Sequence, residues 1–478
     1  MSSRLISRRK LLGSLGIVAL AAPILQACGG APAAPTAAPQ AAATSAPKPA
    51  ATTAPAAATS APAAKPTAAP TPQSQAAPSG GKINISVAVY PDPNRTWMRT
   101  WSQKWADARG NVNLKIDDIN YNDMSQKILA ELATGTVQDV TFAGVKYMRV
   151  AAYKGAYLPI DDYVKAKDPG MSDFIPTTME NAKFEGKLYG LPYEFNTGNR
   201  NTVFVNMDLV KEKGAKPPTD DWTYEDYLTL AKQLADKSKG IFGTDLLEET
   251  YYDFGTLARA WGGDIMTPDY KKWTIGTDPK SIEAARWQTE LRTKHQIAPS
   301  RAESQGLQFP SGKLGLYNSG MFGVMTVQKT VADKFKWDAF LPPRGPGGIR
   351  GFDSFAAFWL IYSKSKQPEA AFELQSMLSS KEASVDALVK EGQAPARIST
   401  WMSDEAQKIH TIFGRVGKWI SDPKEKGPFQ IPDNLRFQEL EDMYENLCYA
   451  MFYGEVPFEE GLKKVQDEGD KIMAKPRP

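Results

Sequence analysis

The hydrophobic positions of residues 83–143 switch between two periods. Ile83, Ile85, Val87 and Val89 take every second place against Asn84, Ser86, Ala88 and Tyr90, the alternation of a strand. Trp97, Trp101 and Trp105 then recur every four residues, which puts three indoles on one helical face and reads as helix core. Val112, Leu114 and Ile116 return to period two. A second helix is predicted from about Asp123, with Ile128 and Leu132 on one face and Gly135 as its stop, and a short strand follows at 139–143. This β-α-β-α-β order predicts a mainly parallel sheet with helices on both faces. Such sheets bind ligands beyond the carboxyl ends of their strands, which fall here at 90–94, 120–122 and 142–144.

A different pattern fills 188–206. Gly190-Leu191-Pro192 predicts a turn, polar residues with Gly198 follow, and Thr202 to Val205 reads as a strand. The stretch is either a crossing between two lobes or a surface loop before an edge strand; a crossing would act as a hinge, because two closing lobes need a few pliable positions. Pro342-Pro343-Arg344-Gly345-Pro346-Gly347-Gly348 is turn chemistry between two apolar runs and marks a second connection. Trp359 within an apolar run reads as sheet core and Trp287 as helix packing. Near the carboxyl end, Phe437, Leu440, Tyr444, Leu447 and Met451 form a helical stripe that also carries Cys448 as a packing residue.

The first 81 residues change the picture taken from bulk composition. Residues 1–27 place Arg4, Arg8, Arg9 and Lys10 before a short apolar run, as an export signal does, and Arg8-Arg9 is compatible with twin-arginine or general secretory export. Leu25-Gln26-Ala27-Cys28 resembles the lipobox of bacterial lipoproteins, which implies a lipid-bearing Cys28 at the new amino end and attachment to a membrane surface. Residues 29–81 are almost wholly Ala, Pro, Thr, Ser and Gln; such a chain cannot bury enough apolar surface to fold and is expected to be a disordered tether. Six of the 57 Lys and Arg lie in 1–81 and no acid does, so 51 basic residues face 54 acidic ones beyond it, about −3. The basic pI therefore gives no reason to expect nucleic acid. About 400 residues remain from Lys82, more than one core normally serves, and two lobes are expected.

Catalytic chemistry finds little support. Adjacent acids at Asp117-Asp118, Asp161-Asp162, Asp220-Asp221 and Glu248-Glu249 are glycosidase candidates by composition only. His295 and His410 have no Gly-x-Ser-x-Gly or His-Glu-x-x-His around them, and no phosphate-binding Gly-x-x-x-x-Gly-Lys-Ser/Thr loop occurs. No catalytic residue, cofactor or metal is expected, and any ATP-driven step must belong to a partner.

Several separated pieces, in order, resemble the extracellular solute-binding proteins of ABC importers, in particular the carbohydrate-binding branch that includes maltose-binding protein. They are Leu132-Ala133-Thr134-Gly135-Thr136-Val137-Gln138-Asp139-Val140, Tyr189-Gly190-Leu191-Pro192, Phe204-Val205-Asn206-Met207-Asp208-Leu209-Val210, and Pro217-Pro218 with Asp221-Trp222-Thr223-Tyr224-Glu225-Asp226. Trp261-Gly262-Gly263-Asp264, Phe309-Pro310-Ser311-Gly312-Lys313, Gly320-Met321-Phe322, Lys364-Ser365-Lys366-Gln367-Pro368-Glu369 and Gln393-Ala394-Pro395-Ala396-Arg397 continue the series. Gln138 in place of Pro, Phe322 where Trp is frequent, the insertion 196–201, and Asp353-Ser354-Phe355 without a Gly-rich turn depart from the pattern.

The resemblance implies an α/β, two-lobed periplasmic-binding-protein-like fold of type II. Lobe 1 would hold 82–195 and 350–398, lobe 2 would hold 196–349 and 399–478, and about three crossings would fall near 194–201, 340–348 and 397–401. It also implies a monomer that captures a mono- or oligosaccharide between the lobes and delivers it to membrane permease subunits served by a separate ATPase. A sugar has polar hydroxyls at its rim and C–H patches on its faces, so a site needs flat aromatics and a few fixed donors and acceptors. The candidates are Tyr90, Phe142, Tyr193, Trp261 and Phe322 as platforms, with Asp92, Asn94, Glu194, Arg344 and Asp353 for hydroxyl pairing. A peptide, polyol or anion as ligand is the alternative, and a secreted glycoside-active enzyme a further one.

Overall fold

The first strand runs from the surface into the core: β1 (Ile83–Val89) is exposed at Asn84 and buried on both faces from Val87 to Val89. It pairs in parallel with β2 (Val112–Asp118) and with β3 (Val140–Gly144). The computed structural model describes residues 81–91, 95–195, 202–247, 250–432 and 434–477. The export signal, the tether with Cys28, candidates Asp92 and Asn94, and the insertion 196–201 lie outside the described residues. Helix Thr96–Arg109 joins β1 to β2 and buries Trp97, Trp101 and Trp105, as their spacing requires. Helix Tyr121–Thr134 ends at Gly135, whose φ of 72° suits a residue without a Cβ.

A small hairpin, β4 (Lys183–Phe184) with β5 (Lys187–Leu188), leads into β6 (Gly190–Phe195). The second half of the chain supplies β7 (Thr202–Asn206), β8 (Phe242–Thr244), β9 (Leu314–Ser319) and β10 (Trp337–Phe340), after which β11 (Ala356–Ile361) returns to the first sheet. The strand orders are β2-β1-β3-β11-β6 and β10-β7-β9-β8. Gly190-Leu191-Pro192, expected as a turn, opens β6 instead. An edge strand tolerates a residue with no N–H to give. The register slips beside it, so that Pro192 and Glu194 face the adjacent Phe358 and Ala357 and Tyr193 is bulged between them. Gly190 is required for another reason: a Cβ there would lie 2.8 Å from both Phe358 Cβ and Trp359 O.

Strand direction fixes where the two sheets face each other. In the first sheet β1, β2, β3 and β6 run one way and β11 runs against them. In the second, β8, β9 and β10 run one way and β7 runs against them. The reversed strand of each sheet is the one that arrives from the other sheet. β6 ends at Phe195 and β7 begins at Thr202. Seven Cα steps span at most about 25 Å. The carboxyl ends of β1, β3 and β6 therefore look across a short gap at those of β8, β9 and β10. The chain makes the return passage between β10 and β11. It passes over once more after helix Lys381–Glu391, which packs on Thr96–Arg109, and before helix Phe437–Phe452, which packs on Pro279–Thr293.

Both sheets are covered on two faces. Every residue of β3 and β11 is buried, the condition of a strand between helical layers. Trp359 at the centre of β11 is 0% exposed, and a side chain of that size contributes on the order of 3 kcal/mol by leaving water. Cys448 is fully buried in helix Phe437–Phe452, in keeping with packing. Among the described residues no helix is long and apolar enough to cross a membrane.

Candidate functional site

The strand ends that face the gap bring together residues far apart in sequence. Tyr90, immediately after β1, is half-buried with its ring edge-on to Phe142 of β3 at 6.3 Å. The guanidinium of Arg95 lies 5.9 Å above the Tyr90 ring and pairs with Glu194 of β6 at 3.2 Å. Burial by itself would weaken the Arg95 charge, but the Glu194 carboxylate more than restores it and its pKa is raised. Tyr90, Arg95 and Glu194 thus join the ends of β1 and β6 in a unit with an aromatic face, five guanidinium donors and a carboxylate. Phe142 and Tyr193 are committed to the core behind it: Phe142 is 0% exposed against Trp359, and the bulged Tyr193 packs on Trp97 and Trp359.

Across the gap, Phe322 is half-buried at the start of helix Gly323–Val331, directly beyond β9. Trp261 does not join it. It is packed between Tyr224 at 4.9 Å and Trp287 at 5.2 Å. Arg344 stands on the return passage, where its side chain pairs with Glu425 and, at 3.4 Å, with Asp221. Its main chain bonds to Trp222 and Tyr224, so the turn chemistry of 342–348 is tied to the second sheet's helix Tyr224–Leu234.

Asp353 lies deeper. Its Oδ1 accepts from the Phe355 N–H and its Oδ2 is buried with no partner. Burial, with Asp253 beside it, pushes the carboxyl up to about 7 although Arg259 pulls the other way. Next to it is a cluster that sequence reasoning missed. Lys146 and Tyr147 follow β3, and the Lys146 ammonium sits 4.4 Å from the Phe437 ring, 5.0 Å from Tyr147 and 6.0 Å from Tyr252. Tyr252 stacks on Phe355 at 5.6 Å and 25°. Arg149, one turn on, donates to the carbonyls of Ile431 and Pro432. Burial raises the Glu441 carboxyl, and Lys146 partly offsets this. Lys146 was legible in principle, since it stands two residues past the end of β3 and the rule of strand ends points there. Tyr252, Phe355 and Phe437 carry no local signal.

Volume does not locate this site. Hollows of about 450 Å³ beside Gly110 and Val112, and of about 340 Å³ beside Asn206 and Glu212, lie at the amino end of β2 and the carboxyl end of β7, the edges turned away from the gap. Among the described residues no group of three His, Cys, Asp or Glu is arranged to hold a metal.

The sequence profile of the family described as bacterial extracellular solute-binding protein matches residues 90–385, more than half of the chain. The protein belongs to this family. As a solute-binding protein it is 23% identical to a binding protein of Brucella abortus (strain 2308) over 83% of its own length and 94% of the relative's. Its structure is similar to that of an ABC substrate-binding protein of Listeria monocytogenes in complex with cycloalternan, with a TM-score of 0.70, 22% identity and coverage of 82% and 99%. The sugar-binding protein MalE of Xanthomonas citri gives a TM-score of 0.71 at 16% identity, covering 82% and 98%. A cyclo/maltodextrin-binding protein complexed with maltotetraose gives 0.68 at 18%, covering 84% and 100%. The solute-binding protein therefore has the two-lobed type II fold, and the gap between its two sheets is the cleft between lobes.

Proposed function

We propose that the protein captures a carbohydrate in the cleft and delivers it to the transmembrane subunits of an ABC importer driven by a separate ATPase. The observation that carries the reading is the Tyr90, Arg95 and Glu194 unit at the strand ends, a partly open ring beside a paired cation and anion. A neutral, many-hydroxyl ligand can stack on the one and exchange hydrogen bonds with the other, without bringing a charge that the pair would have to neutralise. Relatives described with bound cycloalternan, maltotetraose and α-D-tagatose support it. One described with D-mannitol favours keeping a polyol as the second reading.

In this proposal 82–195 with 350–398 form one lobe and 196–349 with 399–478 the other, and Phe322 meets the ligand on closing. The chain is exported, held on the outer side of the cytoplasmic membrane by lipid on Cys28, and works as a monomer that transforms nothing. Closure requires that the solute contact both lobes in one state and mainly one in the other. Tryptophan emission and small-angle scattering of the purified protein should both change on adding one of maltotetraose, cycloalternan, D-tagatose or D-mannitol. Silence of both signals for all four, with a response to a peptide or an anion, would end the sugar reading and leave the fold intact.

A further inference from the structure

Gln393 stands outside every role given so far. It is 2% exposed, and neither Oε1 nor Nε2 has a hydrogen-bond partner. Among the described residues it is the sole buried amide side chain that leaves both atoms empty; Gln375, by contrast, donates its Nε2 to the Trp359 carbonyl. Two residues earlier, Glu391 accepts from Thr96 Oγ1 at 2.7 Å and from the Trp97 N–H at 2.9 Å through Oε1, while its buried Oε2 is also without a partner. Empty buried polar atoms are more costly than satisfied ones are favourable, so a native chain that gathers three of them in three residues has a use for them.

Their place in the fold says what the use is. On one side, the Ala394 carbonyl accepts from the N–H of Phe195, the last residue of β6, and Pro395 bridges Glu194. On the other, a Cβ on Gly392 would lie 2.9 Å from Met325 Sδ, in the second-lobe helix that Phe322 opens. Gln393 therefore sits where the first crossing leaves one lobe and the other lobe comes into contact.

We propose that Gln393 is a specificity-determining residue for a pair of neighbouring hydroxyls on a neutral ligand, at the hinge end of the cleft. One hydroxyl accepts from Nε2 and the other donates to Oε1, which an amide can do and an all-donor or all-acceptor side chain cannot. The proposal rests on the carbohydrate reading above and narrows it to ligands that present a vicinal diol.

The test compares the wild-type protein with Gln393→Leu and the nearly isosteric Gln393→Met. Calorimetry gives the affinity for maltotetraose, cycloalternan, D-tagatose and D-mannitol, and thermal unfolding is followed without ligand. Both variants should lose roughly tenfold or more in affinity for whichever probe the wild type binds, while the ligand-free unfolding temperature stays level or rises because two empty polar atoms are gone. A merely structural amide would give the reverse, a lower unfolding temperature with unchanged affinity, and that result overturns the proposal. If the wild type binds none of the four, the carbohydrate reading falls and the diol site with it; if it binds and the variants bind equally well, only the diol site falls.

Discussion

Two charged groups lie at the boundary between the lobes, and they are built on opposite rules. Around Tyr90, one cation meets one anion at the border of the core: Glu194 is buried, with 7% of its side chain exposed, and Arg95 keeps 27% in contact with water. Around Asp353, acids are gathered away from water. Asp253 and Asp353 are each 1% exposed and Glu441 6%, with Lys146, Arg149 and Arg259 threaded between them. The first arrangement can exchange partners at small cost, which suits contact with a ligand. The second cannot, because each charge depends on the others staying in place. The comparison separates a surface that receives from a joint that holds.

The joint should be the more sensitive of the two. Lys146 lies among the Phe437, Tyr252 and Tyr147 rings and favours the ionised form of Glu441. Lys146→Met keeps the stem and removes the cation that offsets burial at Glu441 and faces three aromatic rings; loss of one charge from a buried network costs about 3–5 kcal/mol. Urea unfolding should show a loss of that order. A change below about 1 kcal/mol, the scale of an exposed pair, would put Lys146 with the first group and dissolve the contrast.

Protonation is the next largest lever. Asp353 holds its proton up to about pH 7 in the folded protein, against a carboxyl near 3.8 in the unfolded chain. Between those values the native state binds a proton that the unfolded state has lost. This contribution to stability is thus complete below the lower value, falls as pH rises through the window, and is gone above the upper one. Raising pH from 5 to 8 should destabilise the protein, and Asp353→Asn should flatten the slope and stabilise it at pH 8 by an amount on the order of a few kcal/mol. Unfolding curves at the two pH values decide; equal slopes in wild type and variant would remove Asp353 from the account.

The contrast also explains what could be read ahead of the structure. The β1–β3 part of the first sheet was legible almost to the residue because its signals are local: alternation in β1 and β2, the tryptophan row, and glycine stops. Gly190-Leu191-Pro192 misled because a proline in an edge strand next to a bulge looks locally like a turn. Tyr90 and Glu194 could be reached from the rule of strand ends, and the structure pairs each with Arg95, which was not among the candidates. Lys146 with Tyr252, and Asp353 with Asp253, are joined only by the folding of segments more than 90 residues apart. Nothing in either segment announces the other.

The smallest effect on stability is expected at the receiving group. Glu194→Gln keeps size and an acceptor but removes the partner that holds the Arg95 charge. Because Arg95 keeps contact with water while Glu194 is buried, unfolding free energy should change by about 1–2 kcal/mol, less than at Lys146. Affinity for the sugar probe should fall more steeply, by roughly tenfold or more, since a charge-assisted hydrogen bond to a hydroxyl becomes a neutral one and Arg95 loses its orientation. Calorimetry and urea unfolding on the same variant give both numbers. A stability loss as large as that of Lys146→Met, with affinity untouched, would mean that the Arg95 and Glu194 pair is a second joint and that the ligand is met elsewhere in the cleft.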